Sequence, residues 1–183
     1  MGFKNKEGIV PRNITRRQRY NFKTNTAKTF PISLATINFI YTGNLGYLIR
    51  TSACFGCRNL YVVGSLPPRN ELMPSSGSLV DYANIIQFST THDFLEHVKQ
   101  NNIKLVAAEL CEGAQSLYDY RFELDVETII ITGNEEVGVP GDILNNADKV
   151  FIEMNGPGFC LNTAQTANIM IAEYMRQRNV YGI

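Results

Sequence analysis

The 183-residue chain has no apolar run approaching the roughly 18 residues of a membrane-spanning helix, so none is expected. Its first residues lack the apolar core of a signal peptide, and a cytoplasmic location is the expectation. Cysteine is scarce: Cys54, Cys57, Cys111 and Cys160, without a secretion signal, predict reduced thiols rather than a disulfide framework. The absence of a G-x-x-x-x-G-K-[ST] loop excludes a P-loop nucleotidase, and a serine hydrolase would need a G-x-S-x-G elbow that is also missing. TGNEEVG, residues 132–138, lacks the spacing of a dinucleotide fingerprint and runs into a proline. Histidine is limited to His92 and His97, five apart and off a shared helix face, which read as surface residues. Cys54-x-x-Cys57 lacks the second ligand pair of a zinc site and reads as two small residues packing the last turn of a helix. No metal is expected.

Net charge is absent as well, but that zero hides an asymmetry. Residues 1–31 hold eight basic side chains (Lys4, Lys6, Arg12, Arg16, Arg17, Arg19, Lys23, Lys28) against Glu7 alone, a net +7 that leaves −7 on the rest of a neutral chain. A basic arm on an acidic body points to an anionic partner. RNA or DNA fits, since such arms settle on phosphates and release counterions, and the interleaved Tyr20 and Phe22 are candidates to stack on bases. A solvated tail or an organelle-targeting peptide are the alternatives. With 44% apolar and 19% charged residues, the chain has the profile of one globular domain. The division is therefore a basic arm over 1–31 and a folded domain over 32–183.

Residues 32–43 read as a buried strand and 44–57 as a helix, with Leu45, Leu48, Ile49 and Ala53 at helical spacing and Asn44 as its cap. Residues 59–65, 84–89, 103–110, 126–133 and 149–154 read as strands. Three prolines and SSGS mark 66–82 as loop, with 66–79 a candidate lid. Residues 91–102 predict a helix started by Thr91 or Asp93, 142–147 a helical turn, and 161–179 a long helix with Leu161, Ala164, Ala167, Ile171 and Tyr174 on one stripe. Strands alternating with helices predict an α/β fold with a parallel sheet and flanking helices. Ligands of such sheets lie outside the carboxyl ends of the strands. Three polar, glycine-bearing loops, 42–50, 132–140 and 154–162, leave strands at that end.

Taken together, NLGYLIRT (44–51), IIITGNEEVGVP (129–140) and IEMNGPGFCLNTAQTA (152–167) resemble, in order and spacing, the three motifs of the SPOUT superfamily. More narrowly, they resemble TrmH-type RNA 2′-O-ribose methyltransferases, over about residues 32–178. The resemblance implies an α/β domain with a C-terminal trefoil knot, acting as a homodimer. It also implies binding of S-adenosylmethionine and metal-free methyl transfer to a ribose 2′-hydroxyl of tRNA or rRNA. Matched motif by motif, main chain at Ala108, Gly133, Ile152, Cys160 and Leu161 would hold the cofactor, with Met154 and Gly156 shaping the wall.

Arg50 matches the arginine proposed to activate the 2′-hydroxyl. A guanidinium with a pKa above about 12 is a poor base, however, and a phosphate is an equal candidate for its partner. Asn44 would orient Arg50 or the ribose, Glu135 would brace its loop or bond near the ribose, and Asn162 matches the third-motif asparagine. Cys160 stands where the family has serine, and a thiol is a weaker hydrogen-bonding group. A catalytically inactive relative that keeps the fold and binds RNA is therefore the alternative. Arg176 and Arg178 are further candidates for RNA contact.

Overall fold

Short apolar segments dominate the sheet of this protein, whose computed structural model describes residues 14–158 and 160–181, Arg16 without its side chain. The charges of Lys4, Lys6, Glu7 and Arg12 lie outside the described residues. Seven strands, β1 (Ile32–Ile37), β2 (Leu60–Val63), β3 (Ile85–Phe88), β4 (Lys104–Ala108), β5 (Gln115–Ser116), β6 (Thr128–Thr132) and β7 (Asp148–Phe151), form one sheet. Its order is β3-β2-β1-β6-β4-β7-β5, and every pairing is parallel. The central β1 and β6 are buried along their whole length, which is why their sequences run apolar instead of alternating.

The helices are α1 (Arg16–Asn25), α2 (Thr42–Phe55), α3 (Arg69–Ser76), α4 (Thr91–Gln100), α5 (Gly141–Leu144) and α6 (Thr163–Tyr181). Successive strand residues point to opposite faces, and two cores result. Ile32, Leu34, Leu60, Val62, Val106 and Ile130 pack with Leu45, Leu48 and Ile49 of α2 and Ala167, Met170, Ile171 and Tyr174 of α6. Ala35, Ile37, Tyr61, Val63, Ile129 and Ile131 pack with Phe94 and Val98 of α4 and Ile143 of α5. The expected α/β class, a parallel sheet between helices, is the one observed.

Several local expectations are corrected. The first strand ends at Ile37, because Asn38 turns into the left-handed region at a φ of 44° and leaves the sheet. The following helix then starts two residues early, with Tyr41 at its N-cap, so Asn44 lies in the first turn and does not cap it. Thr90, not Thr91 or Asp93, caps α4, its hydroxyl accepting the Asp93 N–H at 3.1 Å. His97 is turned inward, its Nε2 3.4 Å from the Tyr61 hydroxyl and its ring against Phe88, so only His92 is a surface histidine. Leu161 precedes α6 instead of joining its stripe, whereas Ala164, Ala167, Ile171 and Tyr174 are buried there. The two-residue β5 was too short to show a period.

Of the cysteine pair, Cys54 is exposed and only Cys57 packs, burial pushing its thiol up to about 12. The ring of Tyr20 meets that of Tyr82 in a T-shaped contact at 5.1 Å. Arg176 is engaged by Glu173 at 2.7 Å, and Arg178 donates to the Leu124 carbonyl at 3.0 Å while lying over the Phe30 ring.

The largest correction concerns residues 66–82, which are helical over 69–81. Prolines hid this, because Pro74 sits inside α3 and removes one backbone donor. Packing outweighs that loss: Leu72 is 2% exposed against α2 and the buried Ser76 hydroxyl donates to the Leu72 carbonyl at 2.8 Å. A 3₁₀ turn (Gly77–Asp81) follows, tied back by Arg69 and Asp81 at 2.7 Å. Leu72→Ala is therefore expected to cost about 2–4 kcal/mol in urea unfolding. A loss below about 0.5 kcal/mol, ordinary for an exposed site, would mean that the segment is a loosely held lid after all.

Candidate active site

Parallel pairing puts the carboxyl ends of β1, β6, β4 and β7 on one edge, and the loops that leave them meet there. Glu135, in the loop after β6, accepts from the N–H groups of Ile40 at 2.8 Å and Tyr41 at 3.4 Å, and from the Asn44 amide at 2.6 Å. Asn44, 6% exposed, in turn accepts from the Asn162 amide at 2.9 Å. Asn162 turns its oxygen to the first N–H groups of α6, accepting from Ala164 at 2.9 Å and Gln165 at 3.4 Å. One chain of hydrogen bonds thus joins the three motifs and caps a helix at its far end. Asn134 adds a link from the same loop to the Asn38 carbonyl.

Burial raises the affinity of Glu135 for a proton, but the Asn44 amide and the N–H groups of Ile40, Glu135 itself and Tyr41 together outweigh it and hold the carboxyl below its ordinary range. A depressed folded value stabilises the fold above the unfolded value of about 4.3, and this contribution is lost as pH falls through the folded value. Glu135→Gln is expected to flatten the acid limb of the stability-pH profile. An unchanged slope between about pH 5 and pH 2 would mean that the bonds do not favour the charged form.

The β6 loop closes on itself with no spare room. Asn134 and Gly138 exchange backbone hydrogen bonds at 3.0 Å, and Gly138 takes a φ of +68°. A Cβ on Gly133 would lie 2.2 Å from the Gly138 carbonyl carbon and 2.4 Å from the Val139 nitrogen. Thr163, the first residue of α6, donates its hydroxyl to the Gly133 carbonyl at 3.1 Å.

Beside these loops lies a cleft of about 770 Å³, within the usual range of about 300–1,000 Å³ for ligand sites. Ala108, Gly133, Ile152, Met154, Cys160 and Leu161 line it, together with Glu135 and Asn162. Gly156 does not line it, and Arg50 lies outside it, exposed on α2 and without a hydrogen bond or ion pair among the described residues. Asn44 is buried behind Glu135, bonded to Glu135 and Asn162 rather than to Arg50.

Glu109 and Tyr41 are among the lining residues not singled out from the sequence. Glu109, just past β4, accepts from the N–H groups of Val139 at 2.9 Å and Leu110 at 3.1 Å and so ties β4 to the β6 loop. Its place after a buried strand was the available signal. Tyr41 looked like part of the strand. The described lining includes three carboxylates, Glu109, Glu135 and Glu136, and no lysine or arginine, so the cleft favours a cationic ligand and repels a phosphate. Among the described residues, no group of three or more His, Cys, Asp or Glu is placed to hold a metal.

A parallel α/β sheet with an acid-lined cleft at its carboxyl edge defines a small-ligand-binding protein, and known proteins narrow the class. The chain belongs to the SpoU rRNA Methylase family, whose model matches residues 31–172. It is 28% identical over 141 residues to the tRNA (guanosine(18)-2′-O)-methyltransferase TARBP1 of Mus musculus, a match covering 74% of this chain and 9% of that much longer protein. The fold is similar to that of the A. aeolicus TrmH/SpoU tRNA modifying enzyme, with a TM-score of 0.74 at 23% identity over 85% of this chain and 79% of the other. It is also similar to an AdoMet-bound rRNA methyltransferase from Sinorhizobium meliloti, with a TM-score of 0.73 at 24% identity over 79% of this chain and 56% of the other.

Proposed function

We propose that the protein is a methyltransferase that uses S-adenosylmethionine to methylate a ribose 2′-hydroxyl of tRNA or rRNA, working as a cytoplasmic homodimer. The observation that carries this reading is the hydrogen-bond chain Glu135–Asn44–Asn162 beside an acidic cleft, in a chain whose family is that of RNA methylases. The cleft's donor set fits the cofactor: carboxylates suit a ligand carrying sulfonium and ammonium charges, and main chain at the lining residues Gly133, Ile152, Cys160 and Leu161 would hold its adenosine. Bound there, S-adenosylmethionine supplies a methyl group activated as an electrophile.

The protein's own part is alignment and charge. Glu135, occupied by three hydrogen-bond donors and held below the ordinary carboxyl range, is a weak base, and its role is to fix the β6 loop against α2. The Arg50 guanidinium, a planar fork of donors suited to oxyanions, holds a phosphate and stabilises the developing negative oxygen of the 2′-hydroxyl instead of taking its proton. Since Arg50 lies outside its own chain's cleft, it serves the cleft of the partner copy. Tyr47, one turn before Arg50 and 52% exposed, and Ile169 of α6, 37% exposed, supply apolar surface for that interface. The α2 and α6 helices that carry them are already joined by the Thr51 hydroxyl and Asn168 at 2.7 Å.

The same reading includes a trefoil knot, and the bond from Thr163 to Gly133 is consistent with it in bringing the chain after β7 back against the β6 loop. It also includes an RNA-gripping arm over residues 1–31, supported by its charge and by exposed Arg17 and Lys23 on α1. Among the described residues no helix is long and apolar enough to cross a membrane. The test is transfer of labelled methyl from S-adenosylmethionine to separate tRNA and rRNA pools. Label in one pool is expected, and label in neither, from protein that binds the cofactor, overturns the reading.

A further inference from the structure

Resting on that function, we infer that Tyr41 is the platform on which the base of the target nucleotide stacks while its ribose lies in the cleft. Position and chemistry both point to it. Helix N-caps favour Ser, Thr, Asp or Asn, whose side chains bond the free N–H groups of the first turn. Tyr41 occupies that position in α2, and although its carbonyl accepts the Asn44 N–H at 2.8 Å its side chain makes no cap bond. Its backbone is fixed at the site, because its N–H and that of Ile40 are bonded by Glu135. It is 61% exposed, packs on no other ring among the described residues, and lines the cleft.

The charge of the cleft decides what such a ring can meet. With Glu109, Glu135 and Glu136 lining it and no lysine or arginine of the same chain among the described lining, phosphate stays at the rim, where the functional reading brings Arg50 of the other copy, and the nucleotide presents its sugar and base inward. A base turned out of its stack loses its neighbours, and an aromatic side chain replaces them without regard to base identity. Among the described residues, Phe151 is the other aromatic lining the cleft and is half-buried at the end of β7, which leaves Tyr41 as the exposed described ring there.

The experiment compares the full chain with Tyr41→Ala and Tyr41→Phe in methyl transfer to the RNA pool that the wild type modifies. Binding of S-adenosylmethionine by calorimetry and mass in solution by light scattering are measured in parallel. Tyr41→Ala is expected to raise KM for RNA about tenfold, in the range of lost base stacking, with cofactor affinity and oligomeric state unchanged. Tyr41→Phe, which keeps the ring, is expected to stay within about twofold of wild type. An unchanged KM in Tyr41→Ala overturns the inference, as does equal damage in Tyr41→Phe, which would assign the effect to the hydroxyl. A change of solution mass would make Tyr41 an interface residue, and lost cofactor binding would make it part of the cofactor site, each overturning it. A wild type that methylates no RNA overturns the functional reading itself, a result distinct from an active wild type matched by its Tyr41→Ala variant.

Discussion

Arg50→Ala is expected to lower methyl transfer to RNA by about 100-fold or more while leaving the affinity for S-adenosylmethionine within about twofold of wild type. The separation follows from geometry. Arg50 is exposed on α2 and does not line the cleft, so its loss removes no contact with a cofactor bound there. Nor should folding suffer, since the side chain has no hydrogen bond or ion pair among the described residues. Parallel rate and calorimetric measurements check this. Weakened cofactor binding would place Arg50 in the cofactor site, and undiminished transfer would remove it from the reaction. Arg50→Lys refines the result: a lysine keeps the charge but not the planar fork, so partial activity is expected if a phosphate is the partner.

Gly133→Ala is expected to damage both the fold and the site. A Cβ there meets backbone, 2.2 Å from the Gly138 carbonyl carbon and 2.5 Å from its oxygen, and no side-chain rotation relieves the clash. The loop must open, which strains the Asn134–Gly138 pair and displaces the carbonyl bonded by Thr163. A stability loss on the order of 3 kcal/mol in urea unfolding is expected, together with cofactor affinity reduced by more than about tenfold, roughly one lost hydrogen bond to a fixed backbone group. Gly156→Ala is the control, because a Cβ there meets nothing within 4 Å and Gly156 does not line the cleft. Equal tolerance of both substitutions would mean that the β6 loop is not closed in the way described.

The strands that sequence alone revealed best are those the fold buries on both faces. TIIIT at β6 and ISLATI at β1 are apolar because no side of them meets water, and their type was unmistakable. Their ends were not, since Asn38 leaves the sheet through a backbone rotation that no side-chain pattern announces. The segment over 66–82 misled for the opposite reason: its prolines and serines obey local turn preferences, and only contact with α2 makes α3 worth forming. At the site, glycines and asparagines in three loops marked out the right edge of the sheet. The hydrogen bonds that join Glu135, Asn44 and Asn162 span 91 and 118 residues of chain and could not be read from any local pattern. For the same reason Asn44 looked like a cap and Glu109 like the end of a strand.

The most direct test of the central claim asks where the methyl group goes. The purified chain is incubated with methyl-labelled S-adenosylmethionine and RNA, the RNA is digested to nucleosides, and the labelled product is identified by mass spectrometry. The proposed function predicts label on the ribose of a 2′-O-methylated nucleoside, lost in Arg50→Ala. Label on a base, or none from protein that binds the cofactor, would contradict the account.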